Sequence, residues 1–237
     1  HRMGAAQIAA ARAAAADAGI AVTGLHWLLL RPQGLSISTR DEAVRKRTVD
    51  VMLALVDQCA ELGGRYLVHG SPQQRRPDAG DTRAAAMARA QECFAAVAER
   101  AEKAGVVYCI EPLSADQTPL INTLEEAAAL VQAIGSRSVR TMLDCSAASR
   151  METAPLPALV DTWVPRGMIA HVQVNDRNRR GPGQGELRFA PLFAALVRHG
   201  YAGDIAVEPF DYIPDGPGAA ARAIGYIRGI IEALQER

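Results

Sequence analysis

Apolar positions recur at helical spacing over residues 4–18, 41–62, 82–104, 123–135, 155–165, 189–199 and 217–235, and each stretch predicts a helix. Between them lie short apolar, β-branched runs: AVTGLHWLLL (21–30), RYLVHG (65–70), VVYCIEP (106–112), VRTMLD (139–144), IAHVQV (169–174) and DIAVEPF (204–210). Glycines punctuate the helix-to-strand joins at Gly19, Gly63, Gly64, Gly105, Gly167, Gly200 and Gly203. Strand and helix alternate without exception, so the strands are expected to be parallel and the helices to be crossovers. Apart from the Ala-rich first helix there is no linker or low-complexity segment, and residues 1–237 read as a single domain.

The predicted order is a helix followed by six strand–helix units. An α/β barrel of the (β/α)8 type, a TIM barrel lacking its first strand, first helix and second strand, would begin on a helix and contain this set. The alternative is a doubly wound open sheet. It calls for a glycine fingerprint after an early strand, and GxGxxG is absent. The start on His1 is consistent with a truncated chain or with a further N-terminal piece.

Composition narrows the function classes. Lys plus Arg (26) equals Asp plus Glu (26), so the chain carries no charge excess of the kind that nucleic-acid or anionic-membrane binders show. Arg12 and Asp17 interrupt the first helix, which therefore reads as amphipathic rather than as a signal peptide or a membrane span. Cys59, Cys93, Cys109 and Cys145 are scattered without a CxxC pair, which suits free buried thiols in a reducing cytoplasm.

Candidate chemistry collects at the carboxyl ends of four successive strands. Glu111 closes VVYCIE, Asp144 closes VRTMLD, Gln173 lies near the end of IAHVQV, and Glu208 closes IAVE. In a barrel this end is the active face, and alternation puts Cys109 with Glu111, Met142 with Asp144, His171 with Gln173, and Ala206 with Glu208. Three carboxylates cannot share a site ionised at low cost, so a cation is the natural solution. An all-oxygen donor set favours Mn²⁺ or Mg²⁺, with Co²⁺ and Zn²⁺ as secondary candidates. Any one of these acids alone reads equally well as a helix N-cap or an ion-pair partner; four in register are harder to attribute to chance.

With those residues in place, the chain resembles the xylose isomerase-like TIM barrels. The branch it resembles is the sugar phosphate isomerase/epimerase family, with D-tagatose 3-epimerase-like and hydroxypyruvate isomerase-like members. The resemblance implies that Glu111, Asp144, Gln173 and Glu208 hold one divalent metal. HVQVNDRNRRGPGQG (171–185) aligns with the epimerase pattern HxHxxExNRxxPGxG, placing Gln173 at the ligand His and Arg179 at the substrate-holding Arg. The HxQ form matches hydroxypyruvate isomerase. DCSA places Ala147 where the ketose epimerases carry the His of DxxH, and Ser114 stands at a frequent Asn. These departures separate the chain from the free-ketohexose epimerases while leaving metal-assisted proton abstraction in place.

The expected reaction is therefore that of a metal-dependent sugar isomerase or epimerase, moving a proton next to a carbonyl of a small hydroxy-keto sugar or keto acid through an enediolate. Glu111 and Glu208 are the expected catalytic pair. His69 and Arg179, and more weakly His26, are substrate-binding candidates; His171 and Asp176 are expected behind the ligands. Asp176 either orients Arg179 or caps the loop, Trp27 and Cys109 read as core, Pro209 and Phe210 read as the edge of a lid, and Phe210 or Tyr212 either covers substrate or packs against the last helix. A lyase dehydrating a keto-inositol or a dehydroshikimate on the same barrel is the alternative. A DNA-repair endonuclease would need more than the five histidines present, and a non-catalytic sugar binder is opposed by the two glutamates. The expected partner is a small sugar or keto acid, without nucleic acid or membrane; a homo-oligomer is left open.

Overall fold

Helices and strands follow one another in the computed structural model largely where the hydropathy pattern puts them, over the described residues 3–235. The elements are α1 (Ala5–Asp17), β1 (Gly24–Leu25), α2 (Glu42–Glu61), β2 (Tyr66–His69), α3 (Arg83–Ala104), β3 (Val107–Ile110), α4 (Leu124–Ile134) and β4 (Val139–Asp144). There follow α5 (Cys145–Met151), α6 (Leu156–Trp163), β5 (Ile169–Val174), α7 (Ala190–Arg198), β6 (Ile205–Val207) and α8 (Gly216–Gln235). The helix starts have local causes: the Asp41, Thr82 and Thr123 side chains accept from the Val44, Ala85 and Glu126 amides at the heads of α2, α3 and α4. Gly105 and Gly135 end α3 and α4 in the left-handed conformation that glycine adopts without steric cost.

The described residues fall into two compact units that divide after Thr141, within β4. In the first, parallel strands lie in the order β1-β2-β3-β4, with Leu25 beside Leu67, His69 beside Ile110, and Ile110 beside Thr141. Leu67, Phe94, Val97, Tyr108 and Ile110 are fully buried and make its core. In the second, β5 and β6 pair in parallel, with Gln173 beside Ala206 and Val174 beside Val207. Val172, Val174, Phe189 and Leu192 are enclosed there. The four cysteines are buried and unbridged. Among the described residues no helix is long and apolar enough to cross a membrane.

Two expectations are corrected. The apolar run 21–30 yields only a two-residue strand, because the chain leaves the sheet after Leu25 and Trp27 takes a left-handed φ of 57°. Leu28 and Leu29 are buried from a loop, so the run is apolar without being paired, and Trp27, expected in the core, is 50% exposed. Strict strand–helix alternation also fails once. After β4 two helices follow in succession, because Asp144 caps a short α5 by accepting from the Ala147 amide.

Phe94 packs its ring against both His69 and Tyr108, at centroid distances of 5.0 and 6.1 Å. Phe94→Ala is expected to lower the unfolding free energy by roughly 3–5 kcal/mol in urea denaturation, through lost burial and the cavity left behind. A loss no larger than that of a surface substitution would show that this ring cluster does not anchor the unit.

Candidate active site

In the first unit, β3 delivers Glu111 and β2 delivers Gly70 to neighbouring strand ends, since His69 pairs with Ile110. The approach is close enough that a Cβ on residue 70 would overlap Glu111 Oε2, so only glycine fits beside this carboxylate. Glu111 is 4% exposed, and Oε2 accepts no hydrogen bond among the described residues. Burial pushes its carboxyl up to about 7, against the opposing pull of the Arg75 charge. His26 Nε2 lies 3.8 Å from that oxygen, on the segment following β1.

Beneath this carboxylate is a polar frame. Arg75, fully buried, donates from Nη1 to the Glu111 carbonyl at 2.9 Å and from Nη2 to the His69 carbonyl at 2.7 Å, fastening the ends of β2 and β3 together. Burial draws its pKa down to about 10, so the guanidinium remains charged at neutral pH. His69 Nδ1 is 2.8 Å from the Tyr108 hydroxyl, and the imidazole is fully enclosed. Burial first, and the Arg75 charge second, hold it well below the usual histidine range and therefore neutral. His69, expected to meet substrate, is thus placed inside the frame, with one nitrogen on Tyr108.

In the second unit, Asp144 is 5% exposed and has a donor on each oxygen. The Ala147 amide donates to Oδ1 at 2.7 Å, and Asn175 Nδ2 donates to Oδ2 at 2.8 Å. The N-cap reading of this acid is realised. On β5, His171 and Gln173 share a face by strand alternation and are 1% and 3% exposed. Gln173 Oε1 is buried and accepts no hydrogen bond among the described residues. Glu208 follows β6, half-buried, and its amide donates to the Val174 carbonyl at 3.4 Å.

The loop after β5 is organised by Asp176, which is 1% exposed. Its carboxylate accepts from the Arg177, Glu186 and Leu187 amides at 2.8, 3.2 and 3.2 Å, so it caps the loop, and Gly185 is required where the backbone crosses that carboxylate. Arg179 is exposed, in a left-handed turn with φ 68°, and its guanidinium lies 4.8 Å over the Phe210 ring. Its carbonyl accepts from the Phe210 and Asp211 amides at 2.8 and 2.9 Å, and Arg180 pairs with Asp211 at 2.9 Å. The segment after β6 is therefore tied to the arginine loop.

Each unit brings part of the predicted set together: Glu111 with His26 in the first, and Asp144 with Asn175 alongside Gln173 with His171 in the second. Sequence reasoning missed Gly70, the carbonyl contacts of Arg75, and Asn175. Gly70 and Asn175 were signalled only by standing directly after strand residues already singled out. The donor chemistry fits a hard cation, because Glu111 Oε2 in the first unit and Gln173 Oε1 in the second are buried oxygens that accept no hydrogen bond among the described residues, of the kind such an ion takes.

Comparison with known proteins places the chain in a family. Residues 1–230 match the model of a family described as xylose isomerase-like TIM barrel. The chain is similar to the L-ribulose 3-epimerase of Mesorhizobium japonicum, 30% identical over 178 residues that cover 73% of this chain and 58% of that protein. It is also similar to the D-psicose 3-epimerase of Ruminiclostridium cellulolyticum, 30% identical over 122 residues that cover 52% of this chain and 41% of that one. The chain thus spans less than two thirds of the length of both curated relatives. A solved L-ribulose 3-epimerase superposes with a TM-score of 0.84 at 24% identity, covering 97% of this chain and 81% of the other, which shows the shared fold.

The hold of Asp176 on its loop is open to a direct test. Asp176→Ala leaves three amides without their acceptor, so limited trypsin digestion is expected to cut after Arg177, Arg179 or Arg180 at least several-fold faster than in the wild type. An unchanged cleavage pattern would mean that the glycines alone shape the loop.

Proposed function

Because the chain belongs to the xylose isomerase-like TIM-barrel family, we propose that it is a divalent-metal-dependent sugar epimerase or isomerase that moves a proton on a carbon next to a carbonyl. The observation that carries this reading is the enclosed Glu111 carboxylate, with an oxygen that accepts no hydrogen bond and a glycine making room beside it. The similar proteins named L-ribulose 3-epimerase and D-psicose 3-epimerase support the sugar class. On the family resemblance, Glu111, Asp144, Gln173 and Glu208 hold the ion, with Mn²⁺ or Mg²⁺ suited to this oxygen set. A bound divalent ion supplies positive charge where negative charge develops on a carbonyl oxygen.

The protein's own residues handle the proton. One of the Glu111 and Glu208 carboxylates removes it from the carbon beside the carbonyl, and the other returns a proton. Return to the opposite face of the same carbon inverts it, and return to the neighbouring carbon isomerises the sugar. Arg179, presented on its exposed turn, and His26, beside Glu111, contact substrate oxygens. His171 and Asp176 support Gln173 and Arg179 from behind, Asp176 through its loop amides, and the His69–Tyr108 contact braces the neighbouring strands that carry Glu111. The equal numbers of acidic and basic residues support a small-molecule substrate, and the buried, unbridged thiols support a reducing cytoplasm.

The test is proton NMR of ketopentoses, ketohexoses and small hydroxy-keto acids incubated in heavy water with the protein and Mn²⁺. Exchange next to the carbonyl without loss of water is expected, and chelation of the metal should abolish it. Loss of water instead would make the protein a lyase. Glu208→Gln and Glu111→Gln are each expected to lower turnover by about 10²-fold or more; full turnover in either variant with metal still bound would sink the proton-transfer pair.

A further inference from the structure

The second unit holds a polar contact that none of the roles above uses. Asn175 is the first residue after β5 and is 2% exposed. An amide side chain has a donor end and an acceptor end, and burying both is costly unless each is met. Both are met here, across 31 and 29 residues of sequence: Nδ2 donates to Asp144 Oδ2 at 2.8 Å, and Oδ1 accepts from the Ser146 amide at 2.9 Å. Because Asp144 Oδ1 takes the Ala147 amide, the carboxylate is gripped on both oxygens by one side chain and one turn of backbone. The same asparagine also holds the backbone at the head of that turn.

We propose that Asn175 is the positioning residue for Asp144, setting the plane of its carboxylate as a metal ligand while leaving its charge intact. The inference rests on the metal reading of Asp144 given above. A lysine or arginine at 175 could also grip Oδ2, but its positive charge would weaken the attraction between this carboxylate and a divalent cation. The asparagine donor is neutral, so it orients without discharging. A carboxylate has about four acceptor sites, and the Ala147 and Asn175 donors, one on each oxygen, fix its direction with two of them. A loop backbone acceptor for Nδ2 would have satisfied the asparagine equally well, yet it is spent on the one acid that closes β4.

The variants are Asn175→Asp and Asn175→Ala. The first keeps the shape of the side chain and the acceptor for the Ser146 amide, but replaces the donor with a negative charge facing Asp144; the second removes both ends. The measurements are Mn²⁺ affinity by calorimetry, the visible absorption of the Co²⁺-loaded protein, and the thermal midpoint without metal. Asn175→Ala is expected to bind Mn²⁺ about 10–100-fold more weakly and to change the Co²⁺ band at saturation, whereas Asn175→Asp, which sets two buried carboxylates face to face, is expected to melt earlier than the wild type without metal. Wild-type affinity and an unchanged Co²⁺ band in a folded Asn175→Ala protein overturn the proposal and leave the metal reading standing. A wild-type protein that binds neither ion overturns the metal reading, and this inference with it.

Discussion

Enclosing a carboxylate at the end of a strand sets the terms for everything packed around it. Glu111 lies in an interior where its charge is poorly solvated, and burial raises its pKa to about 7. Space for it exists because the neighbouring strand ends in Gly70. Its position is held because Arg75 clamps the carbonyls of Glu111 and His69 rather than the carboxylate itself. The guanidinium thus orders the backbone and supplies a compensating field without occupying Glu111 Oε2. The Phe94, His69 and Tyr108 rings pack together between the strands and α3, and His69 stays neutral there, which avoids a second buried cation beside Arg75.

In the second unit, backbone amides and a carboxamide meet the buried acids. Asp144 is held by an amide of α5 and by Asn175, and Asp176 by three loop amides. Backbone and carboxamide donors orient a carboxylate while preserving its charge, the property that a cation ligand needs and that an ion pair would compromise. The two acids differ in what they serve. Asp144 caps α5 from the end of β4, whereas Asp176 spends its oxygens shaping the loop that carries Arg179. The arginine in turn rests on Phe210, so the loop after β5 and the segment after β6 are mechanically linked.

The polar strand tips were legible because strand alternation is local: whichever face Gln173 takes, His171 takes too, and β4 and β5 span the residues that their apolar patterns predict. The run 21–30 misled for the opposite reason. Leu28 and Leu29 need burial, which a loop supplies as well as a strand, and nothing in their composition distinguishes the two. The helix α5 was hidden because its start depends on the Asp144 side chain turning back to the Ala147 amide, a rotamer choice rather than a pattern.

The sequence by itself determined the alternating α/β order, the family likeness, and the identity of the acids and amide at the strand ends. Those properties follow from residue type and spacing along one chain. Only the tertiary structure decided that residue 70 must be glycine, that Arg75 grips carbonyls, that His69 is enclosed, and that Asn175 braces Asp144. Each of these is a contact between side chains or backbone brought together from distant stretches, such as the 31 residues between Asp144 and Asn175. Its partner is chosen by packing and rotamer, which no local pattern encodes.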